Sequence, residues 1–502
     1  PYSDWNTAWN YPNATGRITF SSYAPSSTFP YPDTKGKYSY VDVNGNTQTF
    51  LDGTTTNGIP YYQTAHDSSN KVNAIISAPI GNFDISGTTF NLHGTTKRMG
   101  IAVGDGTNTS TVNVTGINTF YIKPSSNNAK HSAIAVFSKG TLNVSGTNNF
   151  TIDQAAKKNN LVYNEGTTNI TDAKFLIQSE DSNGIENAKA SSVLSLTNGN
   201  YTVSGKKANI VTNLGTVNTN GGTYNIEGEE SNGINNQTGG KISLSNVNFD
   251  VNKNLSSGIQ NAGTVNTTNG TFTIGGNYAN GINNVAAATK AVTNGTNFKV
   301  DGSYSNGIVN EKIVTTTGGT FTINGYKSNG IVGIGGTGIK SEGTVSEGST
   351  FEINSDSANG INNLGTNNVL VRRHTDSTHS PAKFNIAAGK QYSNGIYTEK
   401  GKLDVDGEFL GTTATNKYGV QFTIAAPSGT VGRNNAIYIA EGANQAHSIK
   451  KASFDIGSTE SNGIRIKDGA SVDIEDSTFT TRGNYNNGVY IDSKKTATNG
   501  IP

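Results

Sequence analysis

Cysteine is absent from this 502-residue chain and methionine occurs once. No disulfide framework is available, which is compatible with the cytosol and equally with exported bacterial proteins that fold without disulfides. Only 33% of residues are hydrophobic. A share that low can mean disorder, but disorder goes with few aromatics and a large net charge. Here 19 Phe and 21 Tyr stand beside a formal net charge of +1, which suits a narrow core wrapped in polar turns. The near-zero charge argues against general nucleic-acid or anionic-membrane binding. No run of about 18 apolar residues occurs, so no segment reads as a membrane-spanning helix. The chain opens at Pro1 without a Met or visible signal peptide and closes on "NGIP", a piece of its own repeat. It is expected to be a fragment of something longer.

What is present is repetition. "GGTYNIEGEESNGINN" (Gly221), "NGTFTIGGNYANGINN" (Asn269) and "GGTFTINGYKSNGIVG" (Gly318) are one phrase. Its Asn-Gly-Ile anchor places Ile185, Ile234, Ile282, Ile308, Ile331, Ile361, Ile396 and Ile464 in register, with variants at Ile210, Ile259, Ile437 and Val489. A second anchor is an aromatic followed two residues later by an aliphatic or β-branched residue. It runs from Phe90 and Phe120 through Phe272, Phe298 and Phe321 to Phe454, with a degenerate copy at Phe479. Valine-type runs such as "TVNVTG" (Thr111) and "KLDVDG" (Lys402) lie between them.

Each repeat therefore holds three short period-two runs separated by Gly/Asn turns. Period two means strands. One copy cannot bury its apolar face alone, whereas stacked copies bury a continuous core. The pattern predicts an all-β chain: a right-handed parallel β-helix of about fifteen coils, three strands per coil, with an N-terminal cap. Residues 1–80 carry both Trp and many of the Pro and read as the cap and first coils, with a separate ligand-binding head as the alternative. Residues 81–502 read as the helix itself. Phe272, Ile274 and Ile282 are expected inside. The Asn before Gly (Asn232, Asn280, Asn306, Asn329, Asn394, Asn462) is expected to form an amide ladder, and the Gly after it to supply φ > 0.

Motifs that suggest chemistry have plainer readings. Gly333, Gly335 and Gly338 fit G-x-G-x-x-G, but such a loop needs a following helix and more strand pattern follows, so a glycine turn is favoured. Asp404/Asp406 and Asp473/Glu475 have the i, i+2 spacing that paired carboxylates need. Neighbouring repeats carry Asn, Thr or Ser there, so solvated outer positions are favoured. No catalytic residue, cofactor site or metal site is assigned.

Two surfaces are candidates for binding. Val371–Lys383, "VRRHTDSTHSPAK", interrupts the repeat with Arg372, Arg373 and His374. The Arg pair could grip carboxylated or sulfated groups, and the segment is expected to be replaceable by a Gly/Ser turn without loss of fold. The other is a tyrosine strip. Tyr278, Tyr304, Tyr392 and Tyr485 recur four residues before the anchor, with Tyr326 five before. A flat ring with a hydroxyl suits sugar rings or protein partners. The plainer reading is that these rings cover the turn.

The repeated "SNGI…GTV…GTFxI" phrases, in an Asn-, Lys- and Gly-rich chain with seven Arg, resemble the passenger domain of a type V autotransporter. The resemblance covers roughly residues 80–502 and is greatest to the large fusobacterial outer-membrane adhesins, the RadD-like group. Chlamydial polymorphic membrane proteins are more distant: their F-x-x-N occurs only at Phe249, Phe321 and Phe351. The resemblance implies export through a C-terminal outer-membrane β-barrel not contained in this sequence and display on the bacterial cell surface. It also implies adhesion to glycans or receptors of host cells or other bacteria. It carries no binding residue over. The alternatives are a β-helix polysaccharide lyase or hydrolase, and a non-binding spacer.

Overall fold

The computed structural model describes residues 17–20, 37–41, 47–51, 62–64, 72–78, 81–86, 89–92, 98–104, 106–123, 131–335, 338–342, 348–366, 368–373, 380–408, 417–426, 431–440, 445–467 and 469–492. Parallel strands stack as a β-solenoid of about 14 turns, shared between two compact units, Pro1–Phe249 and Asp250–Pro502. No helix occurs among the described residues. Each coil contributes one strand to each of three faces, as the three period-two runs predict.

On the aromatic face, strand Thr271–Ile274 alternates half-buried Thr with fully buried Phe272 and Ile274. It pairs in parallel with Asn297–Val300, which sets Phe272 beside Phe298 and Ile274 beside Val300. The rings of Phe272 and Phe298 stack at 4.9 Å, and those of Phe298 and Phe321 at 4.8 Å. In the first unit Phe90, Phe120 and Phe150 stack at 4.8 and 4.5 Å. Tyr201 and Tyr224 take this inward slot in two further coils. The valine face works likewise: Leu142, Val112 and Thr168 share one inward row.

The third face carries the Asn-Gly-Ile phrase. Ile282 lies in register with Ile259 and Ile308 and is fully buried. One anchor differs from the sequence expectation. Val211, not Ile210, lies in register with Ile185 and Ile234. Ile210 fills the slot that glycine takes elsewhere, because "NIV" keeps the strand's alternation only when counted from Asn209.

The anticipated amide ladder is present. In the second unit Asn306 donates to Asn280 at 3.0 Å, Asn329 to Asn306 at 2.8 Å and Asn359 to Asn329 at 2.9 Å. A second ladder, not anticipated, runs through the Asn two residues after the anchor. Asn164, Asn187, Asn213 and Asn236 are joined by bonds of 2.7, 2.7 and 2.8 Å. Asn261, Asn284 and Asn310 are joined by bonds of 2.7 and 2.9 Å. These side chains are buried, where an amide must find a partner. The repeated "NN" of "NGINN" was its signal.

The glycine of the phrase has a different reason from the one expected. It lies in a strand without positive φ. A Cβ on Gly281 would sit 2.6 Å from the carbonyl oxygen of Gly307 and 2.9 Å from a ring carbon of Phe298. Close approach, not turn conformation, excludes a side chain.

Before the stack, Arg17–Phe20, Lys37–Val41 and Thr47–Leu51 form an antiparallel sheet. Tyr62–Thr64 runs antiparallel to Val72–Ala78, which in turn pairs in parallel with Arg98–Val103. The rest of 1–71, including both Trp, lies outside the described residues.

Candidate functional site

Inward side chains are committed to packing, so any site must be built from outward ones. The turn that leads into each Asn-Gly-Ile strand is one place where outward side chains are large. Its conformation is set by the coil that follows. The N–H of Tyr278 bonds to the carbonyl of Ser303 at 3.1 Å, and that of Tyr304 to the carbonyl of Tyr326 at 2.9 Å. Turning the N–H along the stack puts the residue in the left-handed region: φ is 54° at Tyr278, 56° at Tyr304, 58° at Tyr392 and 57° at Tyr485. In the "GYKSNGI" coil it is Lys327, one residue after Tyr326, that takes this slot, with φ 52°.

The slot is left-handed in every described coil. Lys158, Asp181, Lys207 and Glu230 fill it in the first unit. Leu255, Tyr278, Tyr304, Lys327, Ser357, Tyr392, Arg433, Glu460 and Tyr485 fill it in the second. The sequence expectation puts the left-handed conformation on the glycine directly before the anchor Ile. It falls instead on the residue four before the anchor, and in four coils that residue is tyrosine.

The tyrosine strip is on the surface. Tyr278 is 54% exposed, Tyr304 41% and Tyr485 83%, and Tyr326 and Tyr392 are also exposed. Tyr278 and Tyr304 stack at 5.0 Å with 10° between ring planes, so one face of each ring is turned to the other. Tyr326 meets Tyr304 edge-on at 6.0 Å. Lys327 Nζ lies 5.6 Å from the Tyr304 ring centre and 5.2 Å from that of Tyr326. Tyr392 belongs to a separate group: Arg433 lies over its ring, donates to its hydroxyl at 2.8 Å and pairs with Glu460 at 2.8 Å.

In the first unit the same turn is electrostatic. Lys157 pairs with Glu180 at 2.5 Å and Lys206 with Glu230 at 3.0 Å. A hydrogen bond from Lys157 holds the Glu180 carboxyl below its usual range, and one from Lys206 does the same for Glu230.

The basic segment is divided. Arg372 ends strand Val369–Arg372 and is half-buried, beside Asp406 in register. Arg373 is 2% exposed and lies against the backbone of Gly419. The two guanidinium groups therefore do not form a displayed pair. His374 and the rest of 374–379 lie outside the described residues. Val371 and Ala382 are buried strand residues, so a Gly/Ser replacement of all of 371–383 would remove core, contrary to the expectation.

The glycine-rich stretch resembling a nucleotide loop joins two strands, Asn329–Gly333 and Gly338–Glu342, and Ile339 is buried. Asp404 pairs with Lys402 at 2.9 Å, and Asp406 accepts the Glu408 N–H at 3.0 Å. No cluster of three metal-ligating side chains occurs among the described residues.

One outward cluster had no sequence signal. Tyr397, Tyr438, Arg465 and Tyr490 share a row one residue after the anchor. The Arg465 guanidinium lies 5.1 Å from the Tyr438 ring centre and 5.8 Å from that of Tyr490. Asp492 binds both Arg465 and Lys467. No family model matches the chain, and no curated protein or solved structure matches it.

Proposed function

We propose that this chain is the passenger of a bacterial surface adhesin, displayed outside the cell, which binds receptors or glycans of host cells or other bacteria and performs no chemistry. The observation that carries this reading is the row of exposed, closely spaced tyrosines in the second unit, on a scaffold whose inward residues serve packing. Tyrosine offers a large, rigid contact surface with a polar tip, the profile of a binding residue. The resemblance of the repeats to autotransporter passengers supports the same reading. The test is attachment: beads coated with the protein should bind intact epithelial cells or bacteria of other species above uncoated beads. Acidic and neutral polysaccharides should yield no product. Product release that disappears in Asp404→Asn/Asp406→Asn would replace the adhesin with an enzyme.

A further inference from the structure

Two columns of turns have the same backbone task and opposite residue choices. The turn before each aromatic strand also uses left-handed residues whose N–H bonds to the next coil, as Asn198 to Asn220 at 3.1 Å and Asn269 to Asn294 at 2.8 Å. There the chain places what backbone sterics favour: Gly116, Gly221 or Gly295, Asn198 or Asn246, Asp172, with Lys451 the exception. Only Gly, and to a lesser degree Asn and Asp, enter this region readily. The left-handed position of the turn before the Asn-Gly-Ile strand holds no Gly and no Asn in any described coil. Since both columns make the same bond, backbone demand does not account for the difference, and the side chains of the second column are retained for themselves. In the first unit they are charged, and two of them, Lys207 and Glu230, pair at 3.7 Å. In four consecutive coils of the second unit they are Leu255, Tyr278, Tyr304 and Lys327, with Tyr326 beside the last.

We propose that Leu255, Tyr278, Tyr304, Tyr326 and Lys327 form one docking stripe for a protein partner that presents an apolar contact ending in a carboxylate. The inference rests on the adhesin reading and locates its surface. Leu255 is 58% exposed, which makes that end apolar. The mutual stacking of Tyr278 and Tyr304 occupies one face of each ring, and Tyr326 and Lys327 also lie against the Tyr304 ring, which leaves little open ring face for a sugar to cover, whereas ring edges and hydroxyls suit packing against side chains and acceptors. Lys327 supplies the charge complementarity. Arg433 and Lys207 in the same slot have carboxylate partners, while Lys327 is held over two tyrosine rings and its charge is available to a partner's carboxylate.

The experiment uses the full chain on beads, with intact epithelial cells untreated, trypsin-treated or periodate-treated. Tyr278→Asn/Tyr304→Asn places in the stripe the residue that the other column uses in the same conformation, so the fold is kept. Thermal denaturation should show this variant within about 2 °C of the parent or above it. Its attachment should fall at least tenfold, and Lys327→Glu should do the same. Ser357→Asn, in the same slot but outside the stripe, should attach like the parent. Trypsin treatment of the cells should abolish parent attachment and periodate should not. Attachment by both stripe variants at the parent level would overturn the stripe while leaving the adhesin reading in place. Sensitivity to periodate and not trypsin would overturn the protein partner in favour of a glycan. Failure of the parent itself to attach to any cell would overturn the adhesin reading, and this proposal with it.

Discussion

Gly281 sits between half-buried Asn280 and buried Ile282, in a strand that runs against the carbonyl of Gly307 and the ring of Phe298. The space for a methyl group is missing on two sides, and one of them is backbone. Gly281→Ala should therefore cost about 1–3 kcal/mol, the range for overpacking a tight core, read as a lower urea midpoint with unchanged slope. The phrase "NGI" shows that glycine is needed but not why, because the obstructing atoms belong to another coil. Tyrosine at φ 54° is the converse case: residue preferences alone would never place it there.

The ladders are the elements in which a single change propagates to neighbours. Asn284 accepts from Asn261 at 2.7 Å and donates to Asn310 at 2.9 Å and to the carbonyl of Ile313 at 3.2 Å. Asn284→Ala removes partners from buried groups on both sides. A cost of about 1–3 kcal/mol is expected for the groups left behind, with hydrogen exchange accelerated in Ser257–Asn261 and Asn306–Asn310 before the rest of the unit. The strand Asn487–Asp492 is reached by the first ladder, Asn487 donating to Asn462 at 2.9 Å, and has an ionic hold as well. Hydrogen bonds from Lys467, and next from Arg465, hold the Asp492 carboxyl below the usual range. A depressed folded value means the contribution is present above the unfolded value of about 4 and is lost as pH falls through the folded one. Protection of the Asn487–Asp492 amides, taken relative to their intrinsic exchange rates, should fall below about pH 4. In Asp492→Asn it should be low at neutral pH as well. Protection unchanged by acid would show that the ladders hold this strand without the ion pair. Period-two alternation made the strands legible in advance, since Phe272 and Ile274 carry it within four residues. The row of Tyr397, Tyr438 and Arg465 was not legible, because its members become neighbours only through stacking.

At the scale of the molecule, a solenoid gains stability from contacts between adjacent coils. Asn280 and Asn306 occupy the same place 26 residues apart. Deleting residues 280–305 joins Ala279 to Asn306 in register, so the chain should keep its β circular-dichroism signal per residue and unfold cooperatively near the parent temperature. Deleting residues 280–292, about half a coil, should shift every later strand to the wrong face and abolish the cooperative transition. Loss of folding in both deletions would show that the coils are not interchangeable.

The repeat by itself determined the three strands per coil, the inward identity of Phe272 and Ile282, and the first asparagine ladder. These follow from alternation and from one phrase repeated, and each coil carries the whole signal within its own residues. Only the tertiary structure decided which turn residue is left-handed, that Tyr278 and Tyr304 turn one ring face to each other, and that Arg373 is buried while Lys327 is displayed. Each of these depends on an atom one coil or more away, such as the carbonyl that draws the Tyr278 N–H or the backbone of Gly419 beside Arg373. A sequence states what a coil contains, and its side chains acquire neighbours and exposure only when the next coil is laid against it.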